Sequence, residues 1–285
     1  MAENQNTAIE NCTHDCSSCG ASCPSRTPGS LLEPLNKASR IGKVVAVMSG
    51  KGGVGKSMVT SRLAVALRDM GYKVGILDAD ITGPSIPKAF GVHDISVNDD
   101  GLVPAETGKG IKIMSLNLLM EDETTPVVWR GPIIGGTVKQ FWTDVVWGDL
   151  DVLLVDMPPG TGDVPLTVFQ SFPVDGVVVV TSPQELVSMI VEKAVRMAGE
   201  MNLRVLGIIE NMSYVRCEHC GQPMYVFGKS HVEEIAEKYG LEVLEQIPLD
   251  PALAKGADDG SIEDTGVPYF EQAAERICQL LAGEE

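Results

Sequence analysis

An α/β fold with a mostly parallel sheet covered by helices on both faces is predicted by three observations. Short apolar runs alternate with stretches of helical apolar spacing from Lys43 onward. Several of those runs are apolar at successive positions, as strands buried on both faces must be. The 285 residues are 44% hydrophobic, enough to bury a sizeable core as one large domain plus a tail.

The elements follow in order. Residues 1–40 are rich in Ser, Asn, Gly, Pro and Cys with no sustained apolar period, and read as a flexible Cys-rich tail without regular structure. Residues 41–285 form the expected domain. Strands are expected over 44–48, 74–77, 111–116, 152–155, 177–181, 205–209 and 241–247. Helices are expected over 57–70, 132–146, 184–201, 231–239 and 267–281. The first helix carries Val59, Leu63, Ala66, Leu67 and Met70 at helical spacing and stops at Gly71. Strand–helix alternation implies a parallel sheet, and no repeat of solenoid period interrupts it.

Between the first strand and helix stands Gly50-Lys51-Gly52-Gly53-Val54-Gly55-Lys56-Ser57, which fits the phosphate-loop pattern G-x-x-x-x-G-K-[ST]. Glycines let successive backbone N–H groups turn toward phosphates. Lys56 reaches the β and γ phosphates, and the Ser57 hydroxyl suits magnesium. The following helix aims its positive end at the same place. Residues 50–58, ending at Met58, are therefore the candidate ATP contacts of a P-loop NTPase. Two acidic strand ends fit the same chemistry: Leu77-Asp78-Ala79-Asp80, and Val152-Leu153-Leu154-Val155-Asp156, a Walker B strand whose Asp156 would hold Mg2+ through water.

Lys51, a second lysine inside the loop, completes K-G-G-x-G-K-[ST] over residues 51–57. Here the sequence resembles the deviant Walker A ATPases, which include MinD, ParA, the nitrogenase iron protein and the Mrp-type cluster carriers. The resemblance implies a SIMIBI-type fold and nucleotide-dependent homodimers, with Lys51 acting across the interface. It also makes Asp80 the switch aspartate that orients the attacking water.

Seven cysteines are present. Cys278 lies in an apolar helical pattern and reads as core. Cys217-Glu218-His219-Cys220-Gly221, in an insertion near 214–230, is a knuckle that grips one metal with two thiolates. Its remaining ligands come from this chain, with His219 or His231 as candidates, or from a second subunit. Spacing alone favours zinc slightly over iron. Cys12, Cys16, Cys19 and Cys23 form a second group within the tail and suit either a cubane cluster or zinc.

Three further segments look like the Mrp-type (ApbC-like) iron–sulfur carriers in particular. They are Trp129-Arg130-Gly131-Pro132, Asp156-Met157-Pro158-Pro159-Gly160-Thr161-Gly162-Asp163 and Glu210-Asn211-Met212-Ser213. The resemblance covers residues 41–285. It implies that Cys217 and Cys220 of two subunits share one 4Fe-4S cluster destined for apo iron–sulfur proteins, and that Asn211 touches the adenine.

Composition narrows the alternatives. A net charge of -17 repels phosphate backbones and anionic headgroups, so neither nucleic acid nor membrane is an expected partner. No run of about 18 apolar residues and no secretory signal is seen, which places the chain in the cytoplasm as an expectation. A positioning ATPase of the MinD or ParA kind would need a basic docking face. The last 16 residues, 270–285, carry four glutamates and one arginine instead. A reductase like the nitrogenase iron protein is the third alternative; its cysteines sit differently relative to the switch loops.

Overall fold

A computed structural model of the protein describes residues 31–80, 85–120, 131–183 and 187–283. The chain divides into residues 1–32 and 33–285, and the architecture below is that of the second unit. The tail cysteines and Trp129-Arg130 lie outside the described residues.

The first strand shows how sequence becomes layer. β1 (Arg40–Met48) ends in five consecutive buried residues. Side chains alternate across a strand. Val45 and Val47 accordingly join one hydrophobic cluster, while Val44, Ala46 and Met48 join another. A strand apolar on both faces needs helices on both, and the chain supplies them.

In order the elements are α1 (Lys56–Asp69), β2 (Val74–Asp78), α2 (Ser85–Phe90), β3 (Ser96–Asn98), β4 (Gly101–Val103), β5 (Ala105–Glu106) and β6 (Lys112–Ser115). Then come α3 (Gly131–Thr143), β7 (Asp149–Asp156), α4 (Asp163–Ser171), β8 (Gly176–Thr181), α5 (Val187–Glu200) and β9 (Val205–Glu210). The chain continues through β10 (Val215–Arg216), β11 (Pro223–Met224), α6 (Val232–Tyr239), β12 (Val243–Gln246), α7 (Pro251–Asp258) and α8 (Glu271–Ala282).

Eight strands form one sheet in the order β12-β9-β8-β1-β7-β2-β6-β5. Every pairing is parallel except the edge pair β5–β6. Helices α1, α2, α7 and α8 cover one face through residues such as Leu63, Phe90, Leu253 and Ile277. Helices α3 to α6 cover the other through Phe141, Val168, Val191 and Ile235. Each fully buried aliphatic side chain contributes roughly 1.5–3 kcal/mol.

The expected parallel α/β sheet is present. Its strands begin or end within a few residues of expectation: β1 starts at Arg40 rather than 44, and β7 at Asp149 rather than 152, where Asp149 and Asp151 alternate with buried Leu150 at the sheet's rim. Three short helices, α2, α4 and α7, and the small hairpin β3–β4 (Ser96↔Val103) were not anticipated.

The topology fixes where ligands go. After β7 on one side of β1, the chain crosses to β8 on its other side. Open parallel sheets bind ligands beyond the strand carboxyl ends at such a switch point. Those ends here are Met48, Asp78, Asp156, Thr181 and Glu210. Backbone hydrogen bonds knit them together: Met157 N to Val47 O (3.0 Å), Ala79 N to Asp156 O (2.9 Å), Gly160 N to Ser49 O (2.7 Å) and Asn211 N to Thr181 O (2.8 Å).

Candidate functional site

The loop after β1 runs over the N-terminus of α1. Gly53 and Gly55 have φ of 78° and 76°, in the left-handed region that glycine occupies without steric cost. A Cβ at Gly55 would also sit 2.3 Å from Nδ2 of Asn211, so this position excludes a side chain twice over. At Gly52 and Gly53 a Cβ would meet nothing within 4 Å. That open side is a cavity of about 350 Å³, lined by the loop from Lys51 to Met58 with Ser49, Asp80, Ser85 and Pro159. Exposed backbone amides, a helix N-terminus, a lysine and a hydroxyl fit a nucleotide polyphosphate with magnesium.

At the cavity floor, Lys56 Nζ lies 2.6 Å from Asp156 Oδ2 and 3.8 Å from Asp80 Oδ2. Ser57 Oγ donates to Asp156 Oδ2 (2.6 Å), and Thr60 Oγ1 donates to Asp156 Oδ1 (2.6 Å). Asp156 is thereby held in one orientation by three residues of the loop and α1. Asp78 stands beside it, paired in register across β2 and β7. Its carboxyl is pushed well above the ordinary carboxylate range, first by burial and then by repulsion from Asp156. Lys56, the Ser115 hydroxyl and the Asp80 amide pull the other way. Sequence reasoning did not assign Asp78, Thr60 or Ser115 to the site. The signal for Thr60 was its place one helical turn after Lys56.

Asn211 lies at the end of β9, buried, with Nδ2 donating to Val54 O at 2.9 Å. It lines a second cavity of about 260 Å³, mostly apolar, together with Met58, Met212, Pro248, Leu253 and Ala257. Gly55 and Met58 border both cavities. An apolar slot with one amide beside a phosphate cradle suits a purine base.

The cysteine pair sits in the insertion after β9. β10 and β11 form a two-residue antiparallel ladder, Val215↔Met224 and Arg216↔Pro223. Between them the chain turns tightly: Gly221 N donates to Cys217 O (2.8 Å), Cys217 N to Gln222 O (3.0 Å), and Gly221 takes φ 69°. Cys217 is half-buried and Cys220 exposed. Hydrogen bonding from the Cys220 amide first, then the His219 amide and the Cys220 side chain, lowers the Cys217 thiol below its ordinary value, favouring the thiolate that binds metal. Among the described residues no group of three or more His, Cys, Asp or Glu is arranged to hold a metal ion. His231 Nδ1 instead lies 3.3 Å from Glu234.

The site residues thus fall into two places. Residues 50–58, Asp80, Asp156 and Asn211 converge on the sheet's carboxyl edge; Cys217 and Cys220 stand on the neighbouring insertion. A third cavity, of about 500 Å³, runs along Cys217 and His219, and its far wall, Pro248–Pro251, also walls the Asn211 cavity.

This fold and loop define a P-loop NTPase. The chain matches the family described as the NUBPL iron-transfer P-loop NTPase over residues 40–282, and it belongs to that family. It is 47% identical to an iron–sulfur cluster carrier protein of Clostridium perfringens over 251 residues, 85% of this chain and 87% of the relative. A carrier protein of Methanocaldococcus jannaschii is 44% identical over 254 residues, 87% of this chain and 88% of the relative. Among solved structures, an ADP complex of a nucleotide-binding protein from Archaeoglobus fulgidus superposes with a TM-score of 0.73 at 47% identity, covering 81% of this chain and 91% of that one. MinD of Pyrococcus horikoshii, at 20% identity and TM-score 0.56, shares the fold. Among the described residues no helix is long and apolar enough to cross a membrane.

Proposed function

We propose that this protein is an ATP-dependent carrier that takes up an iron–sulfur cluster as cargo on Cys217 and Cys220 and delivers it to apo-proteins. The observation that carries the reading is the shared wall: residues Pro248–Pro251 border both the cavity at Asn211 and the cavity at Cys217. A nucleotide site and a thiolate pair joined in this way suit a protein that makes metal custody depend on nucleotide. Membership of an iron-transfer family and likeness to proteins named cluster carriers support it.

In this reading the backbone amides of 50–57 and Lys56 hold the β and γ phosphates, Ser57 and Asp156 hold magnesium, and Met58 and Asn211 flank the base. Bound magnesium would offset phosphate charge. Asp80, 3.8 Å from Lys56, orients the attacking water, and Lys51 reaches the nucleotide of a second copy. Two thiols per knuckle are half of what a cubane needs, so a homodimer with a two-fold axis through the knuckles would supply four. The tail cysteines Cys12, Cys16, Cys19 and Cys23 form a separate site, for a second cluster or zinc, on a segment distinct from the ATPase domain; the tail, expected over residues 1–40, is shorter than that, since residues 33–40 belong to the domain and Arg40 opens β1.

The positioning-ATPase alternative needs a basic DNA-binding face, which a net charge of -17 disfavours, or a basic amphipathic C-terminal helix. Here α8 buries Ala273, Ala274, Ile277 and Leu280 in the core, so that face is spent on folding. The test is transfer: anaerobically loaded protein is mixed with an apo four-iron enzyme and the enzyme's recovered activity followed. Wild type should restore activity; Cys217→Ala and Cys220→Ala should not. Equal restoration by the cysteine variants would reject the assignment.

A further inference from the structure

Glu210 is a carboxylic acid with no exposed surface, an unusual place for a glutamate with no role. It is the last residue of β9 and accepts three side-chain hydrogen bonds: Ser213 Oγ to Oε2 (2.5 Å), Ser230 Oγ to Oε1 (2.6 Å) and Gln246 Nε2 to Oε2 (3.0 Å). Ser213 and Ser230 are the two ends of the insertion that carries Cys217 and Cys220. Ser230 Oγ also accepts from Val232 N (3.0 Å) at the start of α6. One carboxyl group therefore closes the neck of the cysteine loop and pins it to β12.

The next residue faces the other way. Asn211 donates to Val54 O in the phosphate loop and packs where a Cβ of Gly55 would be. Met212 then takes φ 56°, a strained value for a side-chain-bearing residue, which turns the chain sharply between the two contacts. Ser213 N donates to Ile247 O (2.8 Å), and Leu249 N to Tyr214 O (2.8 Å), tying the start of the insertion to the Pro248–Pro251 wall. Four consecutive residues thus span from the phosphate loop to the neck of the cysteine loop, with buried hydrogen bonds at each end. A two-oxygen acceptor is what this junction requires: it takes three donors arriving from three segments, which no hydroxyl or single carbonyl does.

We propose that Glu210 is a positioning residue that couples the phosphate loop to the Cys217/Cys220 loop, so that nucleotide at the first changes exposure of the thiols at the second. It rests on the carrier reading for what the cysteines hold, though not for the coupling itself. A displacement of Asn211 by a bound base is transmitted through Met212 and the Glu210 clamp to both ends of the insertion. Without the clamp, the insertion's neck opens and the cysteine loop moves independently.

The test uses the full-length, reduced apo-protein under anaerobic conditions. Alkylation of Cys217 and Cys220 by limiting iodoacetamide is followed by peptide mass spectrometry, with and without Mg-ATPγS; fluorescent ATP-analogue affinity is measured in parallel. In wild type, nucleotide should change the alkylation rate on the order of 5-fold or more, the usual span of site-to-site coupling. Glu210→Ala and the double change S213A/S230A should keep nucleotide affinity and lose that response, whereas Glu210→Gln, which keeps shape and one acceptor, should recover part of it. A purely structural residue would shift melting temperature and basal rate but leave the nucleotide-dependent ratio intact. Should Glu210→Ala fail to fold, S230A, which removes one bond of the three, carries the test by a reduced ratio. An unchanged ratio in the folded variants, or no nucleotide response in wild type, overturns the proposal. Iron and sulfide uptake by wild type is scored separately: a protein that gates its thiols but takes up neither rejects the carrier reading and leaves the role of Glu210 standing.

Discussion

Lys56 and Asp156 form an ion pair at 2.6 Å in which the lysine side chain is 5% exposed and the aspartate fully buried. The pair joins the phosphate loop to the Walker B strand. Ser57 and Thr60 hold the same carboxylate, so the loop, α1 and β7 share one polar junction beneath the nucleotide cavity.

Lys56→Ala should therefore fail in two ways. Loss of the phosphate cation should slow ATP turnover on the order of 10²-fold or more. Leaving Asp156 buried without its cation should cost on the order of 3–5 kcal/mol, read as a fall in melting temperature. Near-normal turnover in a clean preparation would show that the nucleotide does not sit on this loop.

Asp80→Ala should separate binding from chemistry. Asp80 lines the cavity without belonging to the buried pair, so nucleotide affinity should stay within a few-fold while turnover falls about 10²-fold. Mixed with Lys51→Ala chains, equally inactive, it should regain partial activity if each lysine serves the neighbouring subunit. Verified mixed dimers with no recovery would place Lys51 in its own subunit's site.

Asp78 supplies a pH signature. Its folded-state carboxyl lies above the unfolded value, so the native state binds this proton more tightly. Its contribution to stability is then fully present below the unfolded pKa and is lost as pH rises from about 4 toward the raised value. Asp78→Asn, which cannot ionise, should gain on wild type as pH rises through that window and run parallel above it. Melting curves from pH 4 to 8 check this; a constant difference would mean Asp78 is not perturbed.

Sequence carried the phosphate loop because its chemistry is local: glycines, lysine and serine act at fixed spacing on one backbone turn. Asp156 was legible because an acidic residue closing an apolar strand points to the sheet's carboxyl edge; Asp80, two residues past the end of β2, was singled out by the resemblance to the deviant Walker A ATPases. Helix α4 was not, since Pro165 interrupts a nine-residue span. The start of α7 was written in the chain as Asp250-Pro251, a capping side chain (Oδ1 to Ala252 N, 2.8 Å) followed by proline at the first turn. Glu210 could not be read. A glutamate ending a strand looks solvated, and its burial depends on Ser230 and Gln246, 20 and 36 residues further on.

Removal of residues 1–32 should leave nucleotide affinity unchanged, because residues 33–285 form a compact unit of their own, in which the Glu33 N–H donates to Ser171 O (2.8 Å) and its carboxylate pairs with Lys139 (3.1 Å). Isothermal titration on the shortened chain checks this. A loss of binding would make the tail part of the nucleotide domain.

The carrier assignment itself is decided by counting metal on the knuckle alone. The full chain with Cys12, Cys16, Cys19 and Cys23 changed to Ser is reconstituted anaerobically, then analysed for iron, sulfide and zinc per chain and by Mössbauer spectroscopy. The account predicts about four irons and four sulfides per dimer with a four-iron spectrum, lost in Cys217→Ala or Cys220→Ala. One tightly bound zinc per monomer, with no sulfide, would contradict it.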